Sequence, residues 1–255
     1  MQTVNSTLIS TSNKRFYILD VIRGFAIFLM FIYHFSYDLD YFNFLQLNFA
    51  TDPFWLNFRT FIVTLFLIVM GISLYLSSYR ELNKQRFFKR LLLLVIYSVV
   101  VSISSWVMFP AAMIFFGILH FIALASVLGL LFVRLGRNHS GILNLLIGIS
   151  LIAAGQFIEH PFFNQPYLRW FGLMTTLPIA VDYVPLLPWF GVVLIGLYIG
   201  QLLSQQSPGS FFSSWQSNDF TSKVLALGGR HSLHIYMLHQ PLFLGILYII
   251  RQIIG

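Results

Sequence analysis

Residues 16 to 38, FYILDVIRGFAIFLMFIYHFSYD, set Asp20, Arg23, His34 and Asp38 into an otherwise apolar run. At 3.6 residues per helical turn, the eleven-residue step from Arg23 to His34 returns to nearly the same face, about 16 Å further along the axis. Asp20, Arg23, Ile27, Met30, His34 and Asp38 therefore form one stripe. A guanidinium at one depth can hold an anionic group. An imidazole at another depth, supported by a carboxylate four residues on, can take up and return a proton. The same spacing also suits two purely structural contacts, Asp20 with Arg23 at i,i+3 and His34 with Asp38 at i,i+4. An ionisable group near the bilayer centre costs at least about 2.5–3.5 kcal/mol, so the stripe is expected to face a bundle interior or a watery cavity.

Three further groups have chemical potential. His120 lies between Leu119 and Phe121 in an apolar stretch and is read either as a satisfied core histidine or as a cavity-lining residue. In GGRHSLHIYMLHQPL, Gly228 and Gly229 permit a close approach, and the N–H groups of a helix start beside Arg230 would make an anion site. His231 and Ser232 also suit a plain helix cap. His239 and Gln240 precede Pro241, whose missing N–H predicts a kink or cavity, with His239 lining a reaction chamber or bonding the freed carbonyl. His231, His234 and His239 are separated by steps of three and five, which is not the helical pair-plus-carboxylate pattern of a zinc hydrolase, so no metal is expected. No phosphate-binding glycine loop, serine elbow or kinase motif occurs.

The elements that position these groups follow from composition. The 255 residues are 58% hydrophobic and 9% charged, with a mean hydropathy of +0.80, against roughly 45–50% apolar and about 25% charged in ordinary soluble domains. That balance excludes a soluble globular, disordered or collagen-like chain, and the lack of cysteine excludes thiol redox chemistry. Seven stretches approach the roughly 17–25 residues a membrane helix needs. They run near Phe16–Asp38, Arg59–Tyr79, Leu91–Met108, Ala111–Val133, Gly141–Ile158, Leu186–Leu203 and Ser232–Ile250, the fifth being the weakest. The prediction is an all-α polytopic bundle of about seven spans, a single domain over residues 1–255, without internal repeats.

The net charge of +7 comes from basic residues that collect on one side rather than from a nucleic-acid surface. Lys14, Arg15, Arg80, Lys84, Arg86, Lys89, Arg90, Arg134, Arg137, Lys223 and Arg230 fall there, while Arg59, Arg169 and Arg251 fall on the other with Asp38, Asp40, Asp52, Glu159 and Asp182. Short cytoplasmic loops are the basic ones, so the N-terminus is expected in the cytoplasm and the C-terminus outside. The first apolar run is too long for a cleaved signal peptide and carries Asp20 and Arg23.

LDVIRGFAIFLMFIYH resembles the opening helix of membrane-bound acyltransferases, in which an Arg, ten residues and a His form a signature, here Arg23 and His34. FGILHFIAL, DYVPLLPWFGVVLIG and LGGRHSLHIYMLHQPL extend the likeness along nearly the whole chain to the bacterial branch of the heparan-alpha-glucosaminide N-acetyltransferase catalytic-domain family. The resemblance implies transfer of an acyl group, in the first place acetyl, from cytoplasmic acyl-CoA to an extracytoplasmic saccharide or glycoconjugate. It further implies a multi-pass protein of the cell (inner) membrane. On this reading His34 is the general base and Asp38 its supporting carboxylate. Arg23 and Arg230 meet the phosphates of acyl-CoA, and Asp20, His120 and His239 border the substrates. The eukaryotic lysosomal branch is thought to use a histidine in the loop after its first span, whereas residues 39–58 contain none, which favours general-base catalysis by His34 over an acyl-histidine. Two other readings stay open: a proton-coupled transporter, and a noncatalytic partner of an envelope-biosynthesis complex.

Overall fold

The computed structural model describes residues 16–79, 81–138, 141–178, 182–207 and 210–254. Lys14, Arg15 and Arg80, used above to orient the chain, lie outside the described residues. Nine α-helices are present among the described residues: α1 (Tyr17–Tyr41), α2 (Pro53–Ser78), α3 (Lys84–Met108), α4 (Ile118–Asn138), α5 (Ile142–Phe157), α6 (Leu186–Ser204), α7 (Phe211–Ser214), α8 (Phe220–Arg230) and α9 (Ser232–Ile254). No strand is found among them, and the fold is an all-helical bundle. Six helices (α1, α2, α3, α4, α6 and α9) are long and apolar enough to cross a membrane, and α5 is a shorter apolar helix of 16 residues, consistent with about seven spans.

Helix starts follow local chemistry. Asp52 caps α2 by accepting the Phe54 N–H, with Pro53 at the first helical position where its missing donor costs nothing. Asn83 does the same for α3 through the Arg86 N–H. These caps place the helix starts upstream of the expected spans, so Arg59 lies six residues inside α2 and Arg90 six residues inside α3. The fourth span, expected from Ala111, begins instead at Ile118: after Pro110 the chain makes a single 3-10 turn, Pro110–Ala112, before the helix can start.

Helix α6 is the central post. Val193, Leu194 and Leu197 are fully buried and pack with Leu67 of α2 and Phe121 of α4. Small residues let backbones approach where apolar burial supplies little drive. Gly148 of α5 and Gly191 of α6 face each other's backbones in this way. Helix α8 lies in the connection between α6 and α9. Asp219 caps it through the Ser222 N–H at 2.8 Å, and it packs antiparallel to the first third of α1. Gly24 meets the backbone of Leu225 there, and Gly229 meets that of Asp20, with no room for a Cβ at either position. Helices α3 and α9 are the least enclosed and turn exposed apolar side chains such as Val95, Val99, Ile103, Leu242 and Ile249 outward. Such surfaces suit lipid.

Candidate functional site

The stripe on α1 faces inward. Asp20, Ile27, Met30 and Asp38 are buried, and His34 lines a central, partly open chamber of about 100 Å³, enough for several waters. The chamber extends along α1 from Ala26 to His34, about 12 Å of helix. Elements from both ends of the bundle meet in it. Arg90 of α3 and Ser232 of α9 come from helix starts on the basic-loop side. Arg59 of α2, Ile118 of α4, Trp189 of α6 and the Asp182–Val184 connection come from the opposite side.

The two arginines expected to bind phosphate lie elsewhere. Arg23 donates to Ser73 Oγ on α2 at 2.6 Å, to Asp20 at 3.4 Å and to the Gly229 carbonyl at 3.5 Å. Arg230 pairs with the second Asp20 oxygen at 3.3 Å. Asp20 is buried, so these contacts supply the donors its charge requires, and together they join α1, α2 and α8. The start of α9, at Ser232, follows Arg230 by two residues. Gly228, Gly229 and Arg230 form the C-terminal end of α8, where the backbone exposes carbonyls rather than N–H groups. Neither arginine lines the chamber.

A second correction concerns His34 and Asp38. Their i,i+4 spacing puts them on one face, but no hydrogen bond joins them. Asp38 accepts the Gln240 Nε2–H at 2.7 Å, while its Oδ2 and the His34 Nδ1 have no hydrogen-bond partner. A buried carboxylate takes the strongest donor in reach, here an amide on α9. What orients the His34 ring is aromatic: His239 lies edge-on with centroids 4.9 Å apart, and Tyr33 at 5.7 Å. His239 stacks on Phe31, and its Nδ1–H donates to the Tyr236 carbonyl at 2.5 Å, leaving Nε2 as an unpartnered acceptor. His239 thus sits behind His34 without bordering the chamber.

Of the two readings of His120, the structure matches the satisfied histidine. Its Nδ1 accepts the Gly117 N–H at 3.2 Å and its Nε2 lies 3.1 Å from Ser102 Oγ, whose own hydroxyl donates to the Ile114 carbonyl at 2.7 Å. Both ring nitrogens are engaged in holding the turn between α3 and α4. The ring does not line the chamber.

Sequence reasoning treated Asp182, Arg59 and Arg90 as side markers, yet all three line the chamber. Asp182 Oδ2 accepts the Tyr236 hydroxyl at 2.6 Å and the Ile118 N–H at 3.2 Å, tying the connection to α9 and α4. Burial raises its pKa to about 6, against the lowering effects of those two hydrogen bonds and of the Arg59 charge. Tyr183 donates to the Arg169 carbonyl at 2.5 Å, and burial raises the pKa of its hydroxyl. The Asp52–Pro53 and Asn83 capping signals would have placed Arg59 and Arg90 within their helices. Among the described residues no group of three or more His, Asp or Glu is arranged to hold a metal ion.

Apolar helices around an internal chamber with polar groups at both ends define a multi-pass membrane protein with a candidate site within the bundle. The chain belongs to the family described as heparan-alpha-glucosaminide N-acetyltransferase, catalytic, whose model matches residues 15–241. Neither the curated proteins nor the solved structures contain a match.

Proposed function

We propose that the chain is a transmembrane acyltransferase. It takes an acyl group, in the first place acetyl, from cytoplasmic acyl-CoA and delivers it to a saccharide or glycoconjugate on the outer side of the cell membrane. The observation that carries this reading is the chamber, which is entered by Arg90 and Ser232 from the basic side and by Arg59 and Asp182 from the other, with His34 on its wall. Membership of an acetyltransferase family supports the chemistry, and the basic loops support a cytoplasmic N-terminus.

An acceptor hydroxyl or amine attacks the thioester carbonyl carbon while His34 takes its proton. The carbon–sulfur bond then breaks, and the departing thiolate receives that proton. Products are the acylated acceptor and free thiol, and the imidazole ends neutral as it began. His239 holds the His34 ring edge-on, and Asp38, through Gln240, sets α9 against α1. Both act as positioning residues. Asp20 performs the same service for Arg23 and Arg230.

The test incubates purified protein with labelled acetyl-CoA, with and without candidate amino sugars. Wild type should transfer label, and His34→Ala should lose turnover while keeping donor binding. Absence of both transfer and thioester hydrolysis, together with solute movement in liposomes, would replace this reading with transport.

A further inference from the structure

Buried polar atoms gather behind His34. Seven side-chain nitrogen and oxygen atoms are enclosed without a hydrogen-bond partner among the described residues. Four of the seven sit at the junction of α1 and α9: His34 Nδ1, Asp38 Oδ2, His239 Nε2 and Gln240 Oε1. Asp38 is 1% exposed and His239 4%, so bulk solvent does not reach them. A buried polar group without a partner is costly, and four in one place mark a site for something that hydrogen-bonds.

The bonds already made decide what that partner is. His239 Nδ1 donates to the Tyr236 carbonyl, which leaves Nε2 as an acceptor. Gln240 gives its Nε2–H to Asp38 Oδ1, which leaves Gln240 Oε1 and Asp38 Oδ2 as acceptors. Three enclosed acceptors call for a small donor. Asp38, His239 and Gln240 do not line the chamber, so nothing of substrate size meets them. No three imidazole or carboxylate groups among the described residues are spaced to hold a metal ion. Water fits, because it carries two donors and typically makes about three hydrogen bonds when buried. Its reach agrees as well. Side chains four residues apart on a helix have Cβ atoms about 5–6 Å apart, and two hydrogen bonds through one water span roughly 5.5 Å.

We propose that water bound at the α1–α9 junction joins His34 Nδ1 to Asp38 Oδ2 and thereby fixes the tautomer of His34. With acceptors on the far side of the water, His34 Nδ1 is the nitrogen that carries the hydrogen. The lone pair then lies on Nε2, for use in the chamber that His34 lines. This rests on the reading of His34 as the base. When Nε2 takes the acceptor's proton, the ring becomes an imidazolium whose Nδ1–H stays on the water, one molecule away from the Asp38 charge. Nε2 next gives that proton to the departing thiolate, and the Nδ1 proton never leaves. Asp38 is a positioning residue that acts on His34 through water.

The experiment records the imidazole nitrogen NMR spectrum of isotopically labelled histidines in the full chain in detergent, at a pH where the His34 ring is neutral. His34 is identified by the signals that His34→Gln lacks. Wild type should show His34 with Nδ1 protonated. Asp38→Asn keeps a carbonyl for the Gln240 N–H but presents an N–H to the water, so the His34 proton should move to Nε2. In steady-state assays with labelled acetyl-CoA, its kcat should fall by about ten- to a hundredfold with the donor KM unchanged. Asp38→Glu keeps the charge and should keep the Nδ1–H form. The wild-type spectrum alone tests the proposal if the asparagine variant does not fold. A wild-type His34 protonated at Nε2, or a tautomer that Asp38→Asn leaves unchanged, would overturn the water link while leaving His34 as the base. The expected tautomers in a protein that transfers no acyl group would uphold the link and remove the transferase reading.

Discussion

The rings of His34 and His239 meet edge-on with centroids 4.9 Å apart, one carried by α1 and the other by α9. The relation makes the far end of the chain part of the first helix's chemistry. His239 is itself fixed by its bond to the Tyr236 carbonyl and by stacking on Phe31, so the geometry of His34 depends on α9 as well as on its own helix.

If His34 is the base, the two histidines separate by kinetics. His34→Ala should lower kcat by at least about a hundredfold, within the range for removal of a general base, with donor affinity unchanged. His239→Phe keeps an aromatic ring against His34 and should retain most of the activity, whereas His239→Ala should lose more. Steady-state kinetics with labelled acetyl-CoA makes the comparison. Equal losses in the alanine and phenylalanine variants at position 239 would mean that its nitrogen, not its packing, matters.

Gln240 supplies the hydrogen bond to a carboxylate that is almost wholly buried. Gln240→Leu removes that donor without opening a large cavity, so it should destabilise the fold by about 1–3 kcal/mol. Combining it with Asp38→Leu should cost less than the sum of the two single changes, because neither partner is then left unpaired. Thermal unfolding in detergent of the four proteins closes this cycle, and strict additivity would contradict a direct role for the pair.

The inward stripe on α1 was legible because helical periodicity and the cost of a charge in lipid both act within one segment. The number of apolar helices was legible for the same local reason. Partners were not: spacing shows that His34 and Asp38 share a face, but not that Gln240, two hundred residues away, offers Asp38 a better donor. Similarly, i,i+3 spacing suggests Asp20 with Arg23 but gives no sign that Arg230 arrives from α8. That helix was missed because it is short and follows a serine-rich stretch, although Asp219 is an ordinary cap for it. Arg90 was read as a loop residue and Arg59 as the first residue of its span because hydropathy places a helix start near the first apolar run, while capping chemistry starts it earlier.

Asp182 gives a pH signature. Its pKa in the folded protein is about 6, above the ordinary 3.8, so folding favours the protonated carboxyl. A raised carboxyl contributes stability that is complete below 3.8 and is lost as pH climbs through 6. Asp182→Asn mimics the neutral acid and can still accept from Tyr236 and Ile118. Between pH 4 and 7.5 the wild type should therefore lose about 2–3 kcal/mol relative to Asp182→Asn. Unfolding midpoints of the two proteins across that range measure the difference, and parallel curves would mean that the carboxyl is ionised throughout.

The crossing of α1 and α8 has no slack, and substitution at Gly229 should be severe. A methyl group at Gly229 would run into the Asp20 carbonyl, a backbone atom that cannot rotate away, so the helices would have to separate. Separation would draw Arg230 from the Asp20 carboxylate and loosen the bond from Arg23 to the Gly229 carbonyl. Gly229→Ala is therefore expected to cost about 1–3 kcal/mol, the range for overpacking a closely packed contact. Gly245 makes the control, because a methyl group there meets no atom within 4 Å. Gly245→Ala should raise or preserve the unfolding temperature, since alanine is the better helix former by about 1 kcal/mol. Unfolding temperatures that fall equally in both variants would show that the α1–α8 contact is not what makes position 229 sensitive.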